Sequence, residues 1–245
     1  MKGLLRMLIL AAGLAAASPL PGRLDVSADS QSPGLVARAF SSSTQNDLAS
    51  GSPCKKVALI FARGTSETGN MGSVVGPPLA TNLASSVGSD SLAVQGVEYA
   101  ASASGAASGG DTAGAQKMAQ LATDVVKKCP DTQVVLAGYS QGAQLVHKAG
   151  AQLDSTTAAK VKAVTVFGDP MKGQAIKNID ASKVKTFCND VSWTESCGEI
   201  DINADDFQQQ GDQVCNGMFV ITQAHLQYGS DTPAAASFIK GKVSV

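Results

Sequence analysis

Ser140 is the residue of this sequence whose surroundings best suit a nucleophile. It stands at the centre of Gly138-Tyr-Ser-Gln-Gly142, which fits the pattern Gly-x-Ser-x-Gly. The apolar run Val134 to Leu136 precedes the motif as a buried strand would, and an alanine-containing helical pattern follows it. A strand, a sharp turn and a helix would project the serine hydroxyl above a sheet, with glycines where larger residues would collide. The alternative is a glycine-rich connection in which the serine only caps the helix.

A serine hydroxyl becomes a good nucleophile only when a base removes its proton, and the sequence contains two histidines. His147 is on the helix that follows Ser140 and would lie about 10 Å further along the helix axis, too far to reach the hydroxyl. His225 lies in the late loop Thr222-Gln-Ala-His-Leu-Gln-Tyr228. By elimination we predict that His225 is the base; a packing or surface histidine is the alternative.

Two aspartates are candidates for the acid that orients this histidine. Asp212 lies in Gly211-Asp-Gln-Val-Cys215, close to His225 in sequence and near a cysteine. Asp169 lies in Phe167-Gly-Asp-Pro170, at the end of a predicted strand, where it could also cap a helix or hold a turn. The chain order Ser, Asp, His is the same with either residue, so the order leaves both open.

Acyl transfer also needs hydrogen-bond donors for the oxyanion that forms during the reaction. The backbone N–H of Gln141, directly after the serine, is the expected first donor. The second is expected in the loop after an early strand, and Arg63-Gly-Thr-Ser66 is such a loop. Thr65 could contribute both its N–H and its hydroxyl.

These candidates must be positioned by elements that alternate between strands and helices along the chain. Apolar runs predict five strands, and apolar positions at helical spacing predict the helices between them. The alternation indicates an α/β fold with a parallel sheet, helices on both faces, and a site at the carboxyl ends of the strands. The strands are expected at 57–61, 92–97, 134–136, 161–167 and 184–187, the helices at 77–87, 112–128, 141–153 and 233–242, and a loop at 99–110.

The length and charge of the chain narrow the range of functions it could have. The chain has 245 residues, a formal net charge of -1 and 16% charged residues. It contains no basic cluster that would indicate a nucleic-acid partner, and this serine chemistry requires neither a metal nor a cofactor. We expect one catalytic domain and a monomer.

The first 45 residues differ in composition from the rest. Residues 1–17 show the basic start, short apolar core and small-residue end of a secretory signal peptide, and residues 18–45 are interpreted as a propeptide or flexible arm. Residues 46–245 are assigned to the catalytic domain. The apolar core is too short for a permanent membrane span, so we expect a secreted, extracellular protein in which the five cysteines can form disulfides.

Four motifs in order resemble the fungal cutinases, from about residue 46 to the C-terminus with one interruption. They are Ala62-Arg-Gly-Thr-Ser-Glu-Thr-Gly-Asn70, Gly138-Tyr-Ser-Gln-Gly142, Gly211-Asp-Gln-Val-Cys215 and Ala224-His-Leu-Gln-Tyr-Gly229. The resemblance implies a small, lidless serine esterase, an α/β/α sandwich of the α/β-hydrolase type with a five-stranded parallel sheet.

The same resemblance implies roles for individual residues. It favours Asp212 over Asp169 as the acid, beside Ser140 as nucleophile and His225 as base, with Thr65 and Gln141 forming the oxyanion hole. It implies the disulfides Cys54–Cys129 and Cys188–Cys215. It also implies that apolar side chains around the histidine loop contact the acyl chain, although core packing is the alternative for each; these residues are Phe219, Ile221 and Leu226.

The interruption is residues 191–210, an insert of 20 residues that contains the odd cysteine, Cys197. Without it the chain would read Cys-Asn-Asp-Gly-Asp-Gln-Val-Cys, as in the family. Val191-Ser-Trp193 can be encoded by a splice-donor sequence and Gln210 by an acceptor end. We interpret the insert as a translated intron; a genuine surface insertion is the alternative.

The predicted function is hydrolysis of carboxylic esters of cutin and related aliphatic polyesters through an acyl-enzyme. An acetylxylan esterase of the same broad family is one alternative. A noncatalytic, secreted surface-binding or elicitor protein on the same scaffold is another.

Overall fold

Residues 40–48, 52–189 and 211–245 are described by a computed structural model of the chain. The predicted signal peptide at 1–17, most of the predicted arm and the insert at 191–210 lie outside these ranges. All described residues belong to one compact unit, Ala37–Val245.

Five strands form a single parallel sheet. They are β1 (Val57–Ala62), β2 (Leu92–Gly96), β3 (Gln133–Tyr139), β4 (Val161–Phe167) and β5 (Val184–Phe187). Their order in the sheet is β2-β1-β3-β4-β5, so the predicted five-stranded parallel sheet is confirmed. In the register of the sheet Ala62 pairs with Gly138, and Tyr139 pairs with Phe167.

Helices cover both faces of the sheet. They are α1 (Gly76–Val87), α2 (Ala103–Ala107), α3 (Thr112–Lys128), α4 (Gln141–Gly150), α5 (Ser155–Lys160) and α6 (Thr232–Lys240). Both faces need cover because successive side chains of a strand point to opposite faces, and here the side chains on both faces are apolar. Ile60 and Leu136 belong to the apolar cluster under α3 and α4. Leu59 and Val135 belong to the cluster under α1 and α6, and the result is the expected α/β/α sandwich.

Two short helices depart from the sequence expectations. The predicted loop 99–110 contains α2, whose first turn is capped by the Ser102 hydroxyl accepting from the Gly105 N–H at 3.1 Å. The helix predicted for 141–153 ends at Gly150, and α5 begins after Asp154, whose carboxylate accepts from the Thr157 N–H at 2.7 Å. Both depend on a capping side chain, which apolar periodicity does not detect.

The ordered domain begins earlier than the predicted boundary at residue 46. The side chain of Phe40 is fully buried. The carbonyl of Ser43 accepts from the N–H groups of Asn70 and Met71, and the Gln45 N–H donates to the Asn70 side chain at 3.0 Å. Residues 40–45 are thus part of the domain rather than of a flexible arm, because one aromatic anchor and these backbone bonds fix a stretch of loop-like composition.

The structure contains both disulfides that the resemblance implied. Cys54–Cys129 joins the start of β1 to the turn before β3, across 75 residues of sequence. Cys188–Cys215 joins the end of β5 to the segment that carries Asp212. Among the residues described, no helix is long and apolar enough to cross a membrane.

The strand order reverses direction between β1 and β3, since β1 leads outward to β2 and β3 leads outward to β4 and β5. In a doubly wound sheet the crevice at such a point, at the carboxyl ends of the strands, is where ligands bind. The loop after β1 contains Thr65, and the turn after β3 contains Ser140. The fold therefore brings two predicted site residues to one crevice.

Candidate active site

Ser140 occupies the turn between β3 and α4 in a strained backbone conformation, with φ 56° and ψ −120°. Its N–H donates to the Phe167 carbonyl at 2.9 Å. A Cβ on Gly138 would lie 2.3 Å from the Gly142 carbonyl oxygen, and one on Gly142 would lie 2.0 Å from that of Ala62. Such crowding admits only glycine at both positions, and strain of this kind marks functional turns.

His225 lies within hydrogen-bond reach of the serine. Its Nε2 is 3.0 Å from the Ser140 Oγ. The histidine is on a short 3-10 turn, Gln223–Leu226, and its carbonyl accepts from the Tyr139 hydroxyl at 2.8 Å. Tyr139 is the residue directly before Ser140, so this bond links the base to the strand that carries the nucleophile.

Asp212 is on the other side of the imidazole, with its Oδ2 2.8 Å from the His225 Nδ1. The same oxygen accepts from the Tyr228 hydroxyl, and Oδ1 accepts from the Val214 N–H at 2.9 Å. Burial alone would raise the pKa of Asp212, but the hydrogen bonds from His225 and Tyr228 lower it below its ordinary value. The carboxylate is therefore kept ionised beside the base.

The other candidate acid, Asp169, faces a different histidine. Its Oδ2 is 2.9 Å from the Nε2 of His147, and both side chains are buried. Its Oδ1 accepts from the Met171 N–H at 2.9 Å. The structure thus brings His225 together with Asp212 and leaves Asp169 in a separate buried pair with the histidine of α4.

Three residues around the triad were not singled out from the sequence. The Asn189 N–H donates to the Tyr228 hydroxyl, the same hydroxyl that donates to Asp212. The Asp212 N–H donates to the Asn189 carbonyl at 2.8 Å. A Cβ on Gly168 would lie 2.7 Å from the His225 ring. The Tyr in Ala224-His-Leu-Gln-Tyr-Gly229 was the one available signal, because it lies inside a motif already recognised.

The two residues predicted to form the oxyanion hole are joined by a side-chain hydrogen bond. The Gln141 side-chain amide donates to the Thr65 Oγ1 at 2.9 Å and to the Ser102 carbonyl at 2.8 Å. Since the Thr65 oxygen accepts this bond, its own proton remains to donate. Gln141 is the first residue of α4, where a backbone N–H has no partner within the helix.

Ser140 and His225 line a cavity of about 560 Å³. Its walls include small side chains of α2, Ala103 and Ala106 among them, and the three apolar residues Phe219, Ile221 and Leu226. These three are 60%, 57% and 50% exposed. No described segment covers them, so within the described residues the cavity has no lid.

Within the same ranges, no group of three or more His, Cys, Asp or Glu side chains could hold a metal ion. The site presents a serine hydroxyl, an imidazole and a carboxylate in hydrogen-bond contact. Such an arrangement can move a proton from a hydroxyl to an imidazole and stabilise an oxyanion.

The fold and the site together define a serine hydrolase of the α/β-hydrolase type. The family model for cutinase matches residues 53–243, and the chain belongs to the cutinase family. The cutinase of Botryotinia fuckeliana is 42% identical over 187 residues, covering 76% of this chain and 83% of the relative. The protein is accordingly a serine ester hydrolase.

Solved structures agree on the fold. A Trichoderma reesei cutinase in complex with a C11Y4 phosphonate inhibitor is 36% identical, with a TM-score of 0.69, covering 84% of this chain and 82% of the other. The catalytic core domain of an acetyl xylan esterase from Trichoderma reesei is 21% identical, with a TM-score of 0.55, covering 78% of this chain and 100% of the other. The second similarity concerns the fold alone.

Proposed function

We propose that this protein is a secreted, monomeric enzyme that hydrolyses ester bonds of cutin and related aliphatic polyesters through an acyl-enzyme. The observation that carries the proposal is the hydrogen-bonded series Ser140, His225, Asp212 at an uncovered apolar cavity. Family membership supports the same substrate class, and the two disulfides suit an oxidising, extracellular location.

In the proposed mechanism the Ser140 oxygen attacks the ester carbonyl while His225 accepts the hydroxyl proton. The oxyanion is stabilised by the N–H of Gln141 and by Thr65. His225 then gives the proton to the departing alcohol, which leaves an acyl group on Ser140. Water attacks this acyl group with His225 again as base, releasing the acid and restoring the serine. Asp212 holds the imidazole and stabilises its protonated form.

The polyester assignment rests on the exposed apolar rim of the cavity. Phe219, Ile221 and Leu226 line the cavity and are at least 50% exposed. Their sequence neighbours Met218 and Val220 are also exposed, by 48% and 39%. Aliphatic chains bury such side chains favourably, whereas a polar polysaccharide does not. This favours aliphatic esters over the acetyl groups of xylan.

Two assays test the proposal. Purified protein should hydrolyse p-nitrophenyl butyrate, and Ser140→Ala should lower kcat by a factor of at least about 10³. Activity that survives this substitution would refute the mechanism, and an inactive wild-type protein would support a noncatalytic binding role. Faster release of acetate from acetylated xylan than of product from cutin monomer esters would overturn the substrate assignment.

A further inference from the structure

The loop between β1 and α1, which carries Thr65, contains three residues with positive φ. Ser66 has φ 62°, and Gly69 and Gly72 have φ 64° and 67°. A non-glycine residue in the left-handed region is strained and persists only where the surroundings fix it. Contacts from other residues must therefore hold this loop in its conformation.

The carboxylate of Glu67 joins the two ends of the loop. Its Oε2 accepts from the Gly64 N–H at 2.7 Å. Its Oε1 accepts from the N–H groups of Ser73 and Val74 at 2.9 and 3.0 Å. Hydrogen bonds to an ionised acceptor are stronger than neutral ones, and here one side chain makes three of them.

Two glycines, Gly64 and Gly72, leave room for this carboxylate and for the neighbouring Tyr139 ring. A Cβ on Gly72 would lie 2.2 Å from the Glu67 Oε2, and a Cβ on Gly64 would lie 2.8 Å from the Tyr139 ring. The Arg63 Nε also donates to the Glu67 backbone carbonyl at 2.7 Å. Glu67 is thus fixed through its backbone as well as through its side chain.

Gly64 directly precedes Thr65, so its position determines where the Thr65 N–H and hydroxyl point. The Gln141 side chain donates to the Thr65 hydroxyl oxygen. The Glu67 carboxylate holds the backbone of the preceding residue, Gly64. We infer that Glu67 is a positioning residue for ester hydrolysis: its carboxylate orients the Thr65 hydroxyl toward the oxyanion. The inference rests on the proposed function and on the oxyanion role proposed for Thr65.

The first test is Glu67→Gln, which keeps the size of the side chain but replaces one acceptor oxygen with an NH₂ group. Because the oxyanion forms only in the tetrahedral intermediate and the transition states on either side of it, kcat should fall about tenfold while KM stays within about twofold. Affinity for an alkyl trifluoromethyl ketone, which forms an oxyanion-bearing adduct with serine, should weaken by the same factor. Glu67→Asp, one methylene shorter, should show the same separation of kcat from KM and serves if Glu67→Gln fails to fold.

Asp47→Asn is the matched control. The Asp47 carboxylate also accepts from a backbone N–H, that of Val94 in β2 at 2.9 Å, but it is away from the catalytic residues. It should lower the melting temperature and leave kcat unchanged. If both Glu67 variants kept wild-type kcat, or if their kcat fell no more than that of Asp47→Asn, the inference would be wrong.

A double-mutant cycle with Thr65→Val separates positioning from general loop damage. If Glu67 acts through Thr65, the kcat loss from Glu67→Gln should be at least about threefold smaller once the hydroxyl is absent. Equal losses in both backgrounds would overturn the inference. Full activity of Thr65→Val or Ser140→Ala would instead overturn the proposed roles of those residues, so the two failures are distinguishable.

Discussion

Tyr228 connects the catalytic carboxylate to the body of the domain. Its hydroxyl donates to Asp212 and accepts from the Asn189 N–H. Because these bonds favour the ionised carboxylate, they help to hold the pKa of Asp212 below its ordinary value against the effect of burial. A carboxyl group with a lowered pKa in the folded state stabilises the protein above its unfolded pKa of about 3.9, and this contribution is lost as pH falls through the folded value.

Tyr228→Phe should therefore raise the pKa of Asp212 and reduce stability at neutral pH. We expect the free energy of unfolding at pH 7 to fall by about 1–3 kcal/mol. The difference from wild type should shrink as the pH is lowered from 5 to 2, which denaturant titrations at several pH values would measure. Tyr99→Phe is the control, since its hydroxyl donates to the Arg63 carbonyl rather than to a carboxylate. An equal pH dependence in both variants would contradict the assignment.

Single residues could be predicted from the sequence only where a motif or an elimination isolated them. Ser140 followed from its glycines, and His225 followed because His147 was too far along a helix. Asp212 needed the family resemblance, since Asp169 also fits the chain order, and the separate His147–Asp169 pair appears only in three dimensions. The close approach of Gly168 to the catalytic histidine depends on tertiary packing, which no local pattern encodes.

At the scale of elements, the buried strands were predictable because parallel strands covered on both faces read as continuous apolar runs. The short helices α2 and α5 were not, since they depend on the caps Ser102 and Asp154. The segment that carries Asp212 has little regular structure. It is held by Cys188–Cys215 and by the bond from the Asp212 N–H to the Asn189 carbonyl.

The two disulfides should therefore differ in their effect on catalysis. Replacing both cysteines of either bridge with alanine should cost roughly 2–5 kcal/mol of stability. Only the loss of Cys188–Cys215 should also lower kcat, by about tenfold or more, because Asp212 would no longer be held beside His225. Both variants should carry Cys197→Ala, so that the odd thiol forms no new bridge. Equal kcat values for the two variants in p-nitrophenyl butyrate assays would contradict this expectation.

For the whole molecule, we propose that residues 191–210 are dispensable. Residues on either side of the insert are already joined, since Asn189 and Asp212 share a backbone hydrogen bond of 2.8 Å and Cys188 is bonded to Cys215. Closing a chain whose flanking residues already meet costs little, because loop entropy depends only weakly on length.

Deletion of residues 191–210 should leave kcat/KM for p-nitrophenyl butyrate within about threefold of the full chain, with no loss of melting temperature. Ser140→Ala in the shortened chain is the control for residual background activity. A shortened protein that folds but is inactive would show that the insert contributes to the site. The genomic sequence bears on its origin: codons 191–193 without a splice-donor sequence would exclude a translated intron.

In the shortened chain, the backbone hydrogen bond between Asn189 and Asp212 would close a turn. There the two residues would be three positions apart, separated by Asp190 and Gly211 alone, and a carbonyl accepting from the N–H three residues later is the hydrogen bond of a β-turn. Asp and Gly are both favoured in such turns. The 20-residue insert would thus divide a tight turn between its two central residues, where the turn's closing hydrogen bond is present even in the full chain.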